Sequence, residues 1–373
     1  MALLYKDTLP APPHRRRSWV RPVGLVPWHS AICQQGAHTD YVQLAGGKMG
    51  FAFVDIAQKD KGDVIVQRLS VEQWQTQAAD PKIAQAYLDN LTKPRADMAG
   101  LSMGQTHIMG IVNATPDSFS DGGLHFKPED GIDAARLMAQ QGATILDVGG
   151  ESTRPGAEAV ARDEEIRRIT PIIEALSREG HIVSADTRHT QVMAKAAQSG
   201  APIINDVGGF RDEGAAELIS SLIEKDKATG FAIAMHMQGT PETMQQNPHY
   251  DFAPIDIYDW LEERILVLEQ AGVPRSHIAI DPGFGFGKTP THNLELIQWT
   301  SLFHGLGVPI LIGVSRKSSI AKLSKDEPAT ERLGGSLALT LQAITQGAQI
   351  IRTHDVEQTA QAITIHQQML RAG

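Results

Sequence analysis

From residue 104 to residue 373 the chain keeps one rhythm: a short apolar run, a polar or glycine-rich loop, then an amphipathic helix. The apolar runs fall at 107–112, 143–148, 182–185, 202–204, 231–235, 278–280, 309–314 and 350–352. Helical patterns at 131–141, 163–177, 190–199, 213–226, 255–271, 292–303, 330–346 and 359–371 follow them in turn. Eight β-runs that each lead into a helix predict an α/β fold with a parallel sheet, in the pattern of a (β/α)8 TIM barrel. An open, doubly wound sheet would show the same periodicity. The strand ends favour the barrel. Nearly every run terminates in a polar or charged residue: Asn113, Asp147, Asp186, Asn205, His236, Asp281, Ser315 and His354. One such residue would be an ordinary helix cap. A ring of them fits a closed barrel, whose strand ends converge on the face that carries the chemistry.

Residues 1–103 follow no such rhythm. The stretch 10–27 is rich in proline and expected to be extended, 51–58 and 63–69 read as the strands of a hairpin around 59–62, and 71–91 reads as a helix interrupted at Pro81. This part is therefore expected to be an N-terminal α+β appendage of unassigned role, packed on the barrel or on a neighbouring subunit, with 104–373 as the catalytic domain. Because every motif described below lies in the second part, the barrel is expected to fold without the first.

The net charge of -9 offers no basic surface for nucleic acid or an anionic membrane. The His14-Arg15-Arg16-Arg17 cluster reads as a solvated tail. An anionic ligand must then be held by local cations, for which Arg154, Lys288, Arg316, Lys317 and Arg352 are the candidates. The single cysteine, Cys33, closes no disulfide within the chain and builds no cysteine zinc site. With no apolar run near the ~20 residues of a membrane span and no signal-like start, a cytoplasmic protein is expected.

Two loops stand out. Asn113-Ala-Thr-Pro-Asp-Ser-Phe-Ser-Asp-Gly-Gly123 has the small, turn-forming residues of a lid, and Glu151-Ser-Thr-Arg-Pro-Gly-Ala157 places hydroxyl and guanidinium donors at the next strand tip. His236 has no second ligand at metal-binding spacing, so a structural role is preferred for it. Glycines 283, 285 and 287 lack the helix and acidic residue that a dinucleotide fingerprint requires.

The two loops resemble the signature motifs of the dihydropteroate synthases. The similarity continues through Ala185-Asp186-Thr187, Ile204-Asn205-Asp206, Met235-His-Met-Gln-Gly-Thr-Pro241 and Asp281-Pro-Gly-Phe-Gly-Phe-Gly-Lys288, then Gly313-Val-Ser-Arg-Lys-Ser318 and Arg352-Thr-His-Asp355. It spans the barrel in order and does not reach the first hundred residues. The resemblance implies a homodimeric transferase that joins (7,8-dihydropterin-6-yl)methyl diphosphate to 4-aminobenzoate, with Mg2+ as cofactor. It implies a pterin site of Asp186, Asn205, Asp281, Phe286, Gly313 and Lys317, in which a carboxylate such as Asp281 accepts the paired donors of the ring. The diphosphate falls to Asn113, Thr153, Arg154, Arg352 and His354, with Asn113 also holding the metal. Phe119, Thr153, Arg154, Pro155, Ser315 and Lys317 bound the aminobenzoate pocket, and Asn113, Lys317, Arg352 and His354 carry catalysis. Arg352→Ala is expected to cut turnover far more than binding of the bare pterin. Phe284 could also face the ring, although Phe286 matches the family position more closely. Ala114, Ala185 and Phe210 depart from the usual family residues without removing a polar group. Two other readings share the ring-recognition carboxylates, a pterin-dependent methyltransferase and a non-catalytic pterin-binding paralogue. Lys317, Arg352 and His354 argue against the methyltransferase, since a methyl donor has no diphosphate to hold.

Overall fold

Alternating apolar residues over 51–70 build the first layer. In the computed structural model, which describes residues 2–9, 17–29, 41–78, 80–115, 127–152 and 160–372, β1 (Leu3–Tyr5) and β2 (Trp19–Val23) are the edges of a four-stranded sheet. β3 (Val26–Pro27), β4 (Val42–Gln43) and β5 (Met49–Phe51) form a small sheet of their own. β6 (Phe53–Asp60) and β7 (Asp63–Ser70) are the expected hairpin, and the first sheet runs β1-β7-β6-β2. Its two-residue turn, Lys61-Gly62, has φ of 47° and 93°, the left-handed geometry that matches the strand twist. Ser70 and Gln73 make a capping box for α1 (Val71–Gln77). Pro81 does more than interrupt: it opens a second helix, α2 (Pro81–Thr92), whose first N–H groups are capped by Asp80.

The second part is a barrel. Its strands are β8 (His107–Asn113), β9 (Ile145–Gly149), β10 (Val183–Asp186), β11 (Ile203–Asp206), β12 (Phe231–Met235), β13 (Ile278–Asp281), β14 (Leu311–Ile312) and β15 (Ile350–Thr353). The helices are α3 (Pro128–Gln140), α4 (Arg162–Arg178), α5 (Thr190–Gln198), α6 (Ala215–Lys225), α7 (Ala253–Gln270), α8 (Pro290–Gln298), α9 (Ser318–Leu323), α10 (Leu333–Thr345) and α11 (Val356–Ala372). The parallel order is β13-β12-β11-β10-β9-β8-β15-β14. The ring closes between β13 and β14 through a single Ile280–Ile310 bridge, in which Ile280 N donates to Pro309 O at 3.0 Å. That junction excludes the open sheet. It is also why the run at 309–314 yields only a two-residue strand, since Pro309 has no N–H to give the ladder. The helical pattern at 292–303 divides likewise, into α8 and a 3-10 segment, Thr300–Leu306.

Met109, Ile145, Ile203, Ile233, Ala279, Leu311 and Ile350 fill the bottom of the barrel, and Met98 and Met103 from the segment before β8 plug it. The appendage packs on the barrel of its own chain. Trp19, Ala57, Val64 and Val66 join one core with Tyr258, Trp299 and Phe303. Around that seam Trp19 Nε1 donates to Asp259 Oδ1 at 2.7 Å and Arg17 pairs with Asp259 and Glu262 at 2.8 and 2.6 Å. Ser301 Oγ donates to Pro22 O at 2.8 Å, and the Arg21 guanidinium lies 4.6 Å from the centre of the Trp299 ring. Among the described residues no helix is long and apolar enough to cross a membrane.

Candidate active site

At the C-terminal ends of the strands the barrel opens into a cavity of about 390 Å³, lined among others by Asn113, Asp186, Phe286, Gly313, Ser315, Lys317, Arg352 and His354. A smaller cavity, about 220 Å³ and mostly apolar, lies in the appendage between Val20, Ile56, Trp74 and Tyr87. It gathers no comparable set of polar groups, so the barrel mouth is the candidate site.

Arg352, near the end of β15, reaches across the barrel. Its Nε donates to Asp147 Oδ2 and its second terminal nitrogen to Asp186 Oδ2, both at 2.6 Å. Asn205 Nδ2 donates to the same Asp147 oxygen at 3.1 Å. Asp147 is therefore not the strand end expected of it. It lies in the middle of β9, fully buried, and binds Arg352 and Asn205 together from below. Alternation in a strand buried on both faces leaves no polar-apolar mark, which is why the pattern misplaces it. Burial pushes the Asp186 carboxyl up, with Asp147 and Asp206 adding and Arg352 opposing.

Asp281 ends β13, where the chain must turn at once. Gly283, at φ +71°, is the residue that permits it: a Cβ there would stand 1.9 Å from His236 O. Asp281 Oδ1 accepts the Gly283 N–H at 2.7 Å. Burial raises this carboxyl to about 6, against the Gly283 hydrogen bond and the charges of Lys317, Arg352 and Lys288. The turn is pinned from within by Lys288, whose Nζ donates to Phe286 O at 2.8 Å and sits 2.9 Å from His236 Nδ1. Burial holds both Lys288 and His236 well below their ordinary values. Lys288 is thus a strut, not a cation offered to a ligand, and His236 has the structural role expected for it. Phe286 packs with Val207, Met235, Met237 and Met244 at the cavity wall, and Lys317 Nζ lies 3.8 Å over its ring. Phe284 turns into the main core instead.

On the other side of Arg352, Ser315 Oγ accepts the His354 backbone N–H at 3.2 Å and lies 3.0 Å from His354 Nδ1. In the tautomer where the Ser315 hydroxyl donates to Nδ1, the ring proton sits on Nε2 and faces away from Ser315. Burial first, then Arg352, Arg316 and Lys317, hold His354 at about 3, so the ring is a neutral donor at working pH. Arg316 makes a bidentate pair with Asp355, at 3.1 and 2.5 Å, at the cavity edge. Of the five expected cations, Arg316, Lys317 and Arg352 line the cavity, Arg316 paired with Asp355 and Arg352 with Asp147 and Asp186. Gly313 and the half-buried Asn113, at the end of β8, also stand where the sequence puts them. Phe119, Thr153, Arg154 and Pro155 lie outside the described residues.

Asp147 as an anchor, and Met244 and Arg332 in the cavity lining, lie outside the set expected from the sequence. Asp147 was visible as a charge inside an apolar run. Met244 had no signal, for its place depends on how the strand-five loop folds back. The described residues contain one close trio of potential metal ligands, Glu151, Glu165 and His189, at the foot of the second loop. Arg188 already neutralises Glu151 at 2.9 Å, and burial raises the Glu165 carboxyl to about 7.

Residues 109–354 match the family described as pterin binding enzyme. The dihydropteroate synthase of Escherichia coli (strain K12) is 43% identical over 279 residues, 74% of this chain and 96% of that protein. Among solved structures, Xanthomonas albilineans dihydropteroate synthase with 4-aminobenzoic acid superposes with a TM-score of 0.68 at 42% identity, over 74% of this chain and 98% of the other. Burkholderia cenocepacia dihydropteroate synthase complexed with 7,8-dihydropteroate gives 0.67 at 37%, over the same shares. Nearly the whole of each relative is matched, while the family match leaves residues 1–108 aside.

Proposed function

This chain belongs to the pterin binding enzyme family, and from that premise we propose how its residues carry out the dihydropteroate synthase reaction. It condenses (7,8-dihydropterin-6-yl)methyl diphosphate with 4-aminobenzoate to give 7,8-dihydropteroate and diphosphate. The observation that carries the reading is the placing of Asp186 and Arg352 around one cavity, with His354, Ser315 and Lys317 at its other side and Asp281 buried at the end of β13.

The pterin ring lies against Phe286, with Asp281 accepting its paired donors and Asp186 and Asn205 addressing the remaining edge. Lys317 faces the ring carbonyl, and Gly313 leaves room for the methylene that reacts. The C–O bond to the diphosphate breaks, the arylamine nitrogen bonds to that carbon, and the nitrogen then releases a proton. A neutral arylamine is already nucleophilic, so no strong base is needed, and the barrier lies in separating charge. Arg352 and the Nε2–H of His354 donate to the leaving diphosphate in a low-dielectric site, where such groups act most strongly. Thr153 and Arg154 add donors from the second loop and, with Phe119, Pro155, Ser315 and Lys317, bound the aminobenzoate pocket.

Asn113 supplies one amide oxygen at the cavity rim, which suits Mg2+, an ion that takes few protein ligands and fills its shell with phosphate and water. Bound there, the ion neutralises charge on the departing diphosphate. Because diphosphate and pterin complete the pocket, aminobenzoate binds after the pterin diphosphate, or with product diphosphate and Mg2+. A homodimer in the cytoplasm completes the proposal. Ile365 and Met369, exposed one turn apart on α11, are an apolar pair a partner could cover.

The test is direct assay of 7,8-dihydropteroate from the two substrates with and without Mg2+, together with equilibrium dialysis of labelled aminobenzoate. Turnover without Mg2+ removes the metal, and tight binding of aminobenzoate to the bare protein removes the order. No product under any condition removes the activity.

A further inference from the structure

The appendage meets the barrel along α7, and α7 begins where the strand-five loop ends. Asp256, in the first turn of α7, accepts the N–H of Asp251 at 2.7 Å and of Phe252 at 3.2 Å through one carboxylate oxygen. These are the last residues of the loop. The other oxygen accepts Lys59 Nζ at 2.5 Å, from the end of β6 beside the hairpin turn, and the same ammonium lies 3.5 Å from Asp251. An ion pair of this exposure adds little to stability. This one instead locks the rotamer of a carboxylate that is already holding the end of a loop.

The loop in turn holds the Asp281–Lys288 turn from outside. Tyr250 Oη donates to Gly287 O at 2.7 Å and Gln245 Nε2 to Gly285 O at 2.9 Å. Gln238 ties the loop to itself by bonding both the N–H and the C=O of His249. Gly287 lies so close beneath Gln238 that a Cβ would stand 2.9 Å from that side chain. Between Gly285 and Gly287 stands Phe286, against which the loop packs Met244.

We propose that Lys59 is a positioning residue for the pterin diphosphate site, through which the appendage sets the strand-five loop and, by Tyr250 and Gln245, the turn that carries Phe286. The inference rests on the reading of the site given above. The brace acts on the ring wall, which the substrate touches before and during reaction, so its loss weakens both states alike and appears in KM, not kcat.

The experiment uses the full chain in three forms: unsubstituted, Lys59→Met and Lys59→Arg. Lys59→Met is expected to raise KM for pterin diphosphate about threefold, the scale of one half-exposed ion pair. KM for 4-aminobenzoate and kcat stay unchanged, and Lys59→Arg restores the unsubstituted value. Hydrogen exchange at the Asp251 and Phe252 amides should quicken in Lys59→Met and recover in Lys59→Arg. Tyr250→Phe should raise the same KM, and adding Lys59→Met to it should raise it no further. An unmoved KM, an equal loss in all constants that follows the melting temperature, or failure of arginine to rescue overturns the brace alone. Absence of turnover in the unsubstituted chain overturns the reading of the site and the brace with it.

Discussion

Asp281 and Arg352 show what each residue of the site must satisfy before a ligand arrives. Asp281 gives one oxygen to Gly283, and in the proposed site the other meets the pterin. Asp281→Asn puts a donor where the ring presents its own, which costs about 1–3 kcal/mol or more. Calorimetry with a pterin analogue should find affinity at least about fivefold lower. The carboxyl must be ionised to accept both donors, and burial raises it to about 6. Affinity should therefore fall as pH drops through 6, and Asp281→Asn should lack that part of the fall and keep only what Asp186 contributes near pH 7. Arg352 is held between Asp147 and Asp186, so Arg352→Ala leaves two carboxylates facing each other in a buried space. Breaking such a group costs about 3–5 kcal/mol. We expect a lower melting temperature and weaker binding of the bare pterin together with lost turnover, in place of the selective loss of turnover that the sequence alone suggests. Unchanged melting would deny the clamp. Asp186, Asn205, Asp281, Arg352 and His354 were legible because each ends, or nearly ends, an apolar run. The burial of Lys288 against His236, and the pairing of Arg316 with Asp355, were not. Both depend on partners 52 and 39 residues away along the chain.

Elements were legible wherever the cause is local. The β6–β7 hairpin, the break at Pro81 and the eight parallel strands follow from turn residues, proline and apolar period. Tertiary geometry decided the rest: the thin closure at β14, the 3-10 segment after α8 and the inward face of β9. The turn after β13 is an element whose shape one residue sets. Gly283→Ala combines a left-handed φ of +71° with a Cβ that would meet backbone oxygen, which no rotamer change can relieve. The far side of the barrel is untouched by it, so helical circular dichroism should persist. Affinity for pterin should fall by more than tenfold, as the turn carries both the Asp281 hydrogen bond and Phe286. A variant with unaltered affinity would show that the turn can move aside without disturbing the ring site.

At the scale of the whole molecule, the sequence suggests that a barrel holding every motif can dispense with residues 1–103, and the packing argues otherwise. Tyr258, Leu302, Phe303 and Trp299 are almost wholly buried, and the appendage strands share their core. The second cut surface is the floor, since Met98 and Met103 fill the bottom of the barrel from within the deleted span. Removing 1–103 would expose a contiguous apolar face and open the floor at once, and exposed patches of that kind drive association. A chain starting at Arg95 keeps the plug and still bares the α7 face. We therefore expect the shorter deletion to yield protein that binds a hydrophobic dye and self-associates, and the longer one to be insoluble. Yield in the soluble fraction and light scattering distinguish the two, with the intact chain as reference. If the chain starting at Arg95 is monodisperse and turns over with an unaltered KM for pterin diphosphate, then neither the shared core nor the Lys59 contact is needed by the barrel. If it is monodisperse but needs several times more pterin diphosphate, the apolar cover is dispensable and the contact at Asp256 is what the site draws from the appendage.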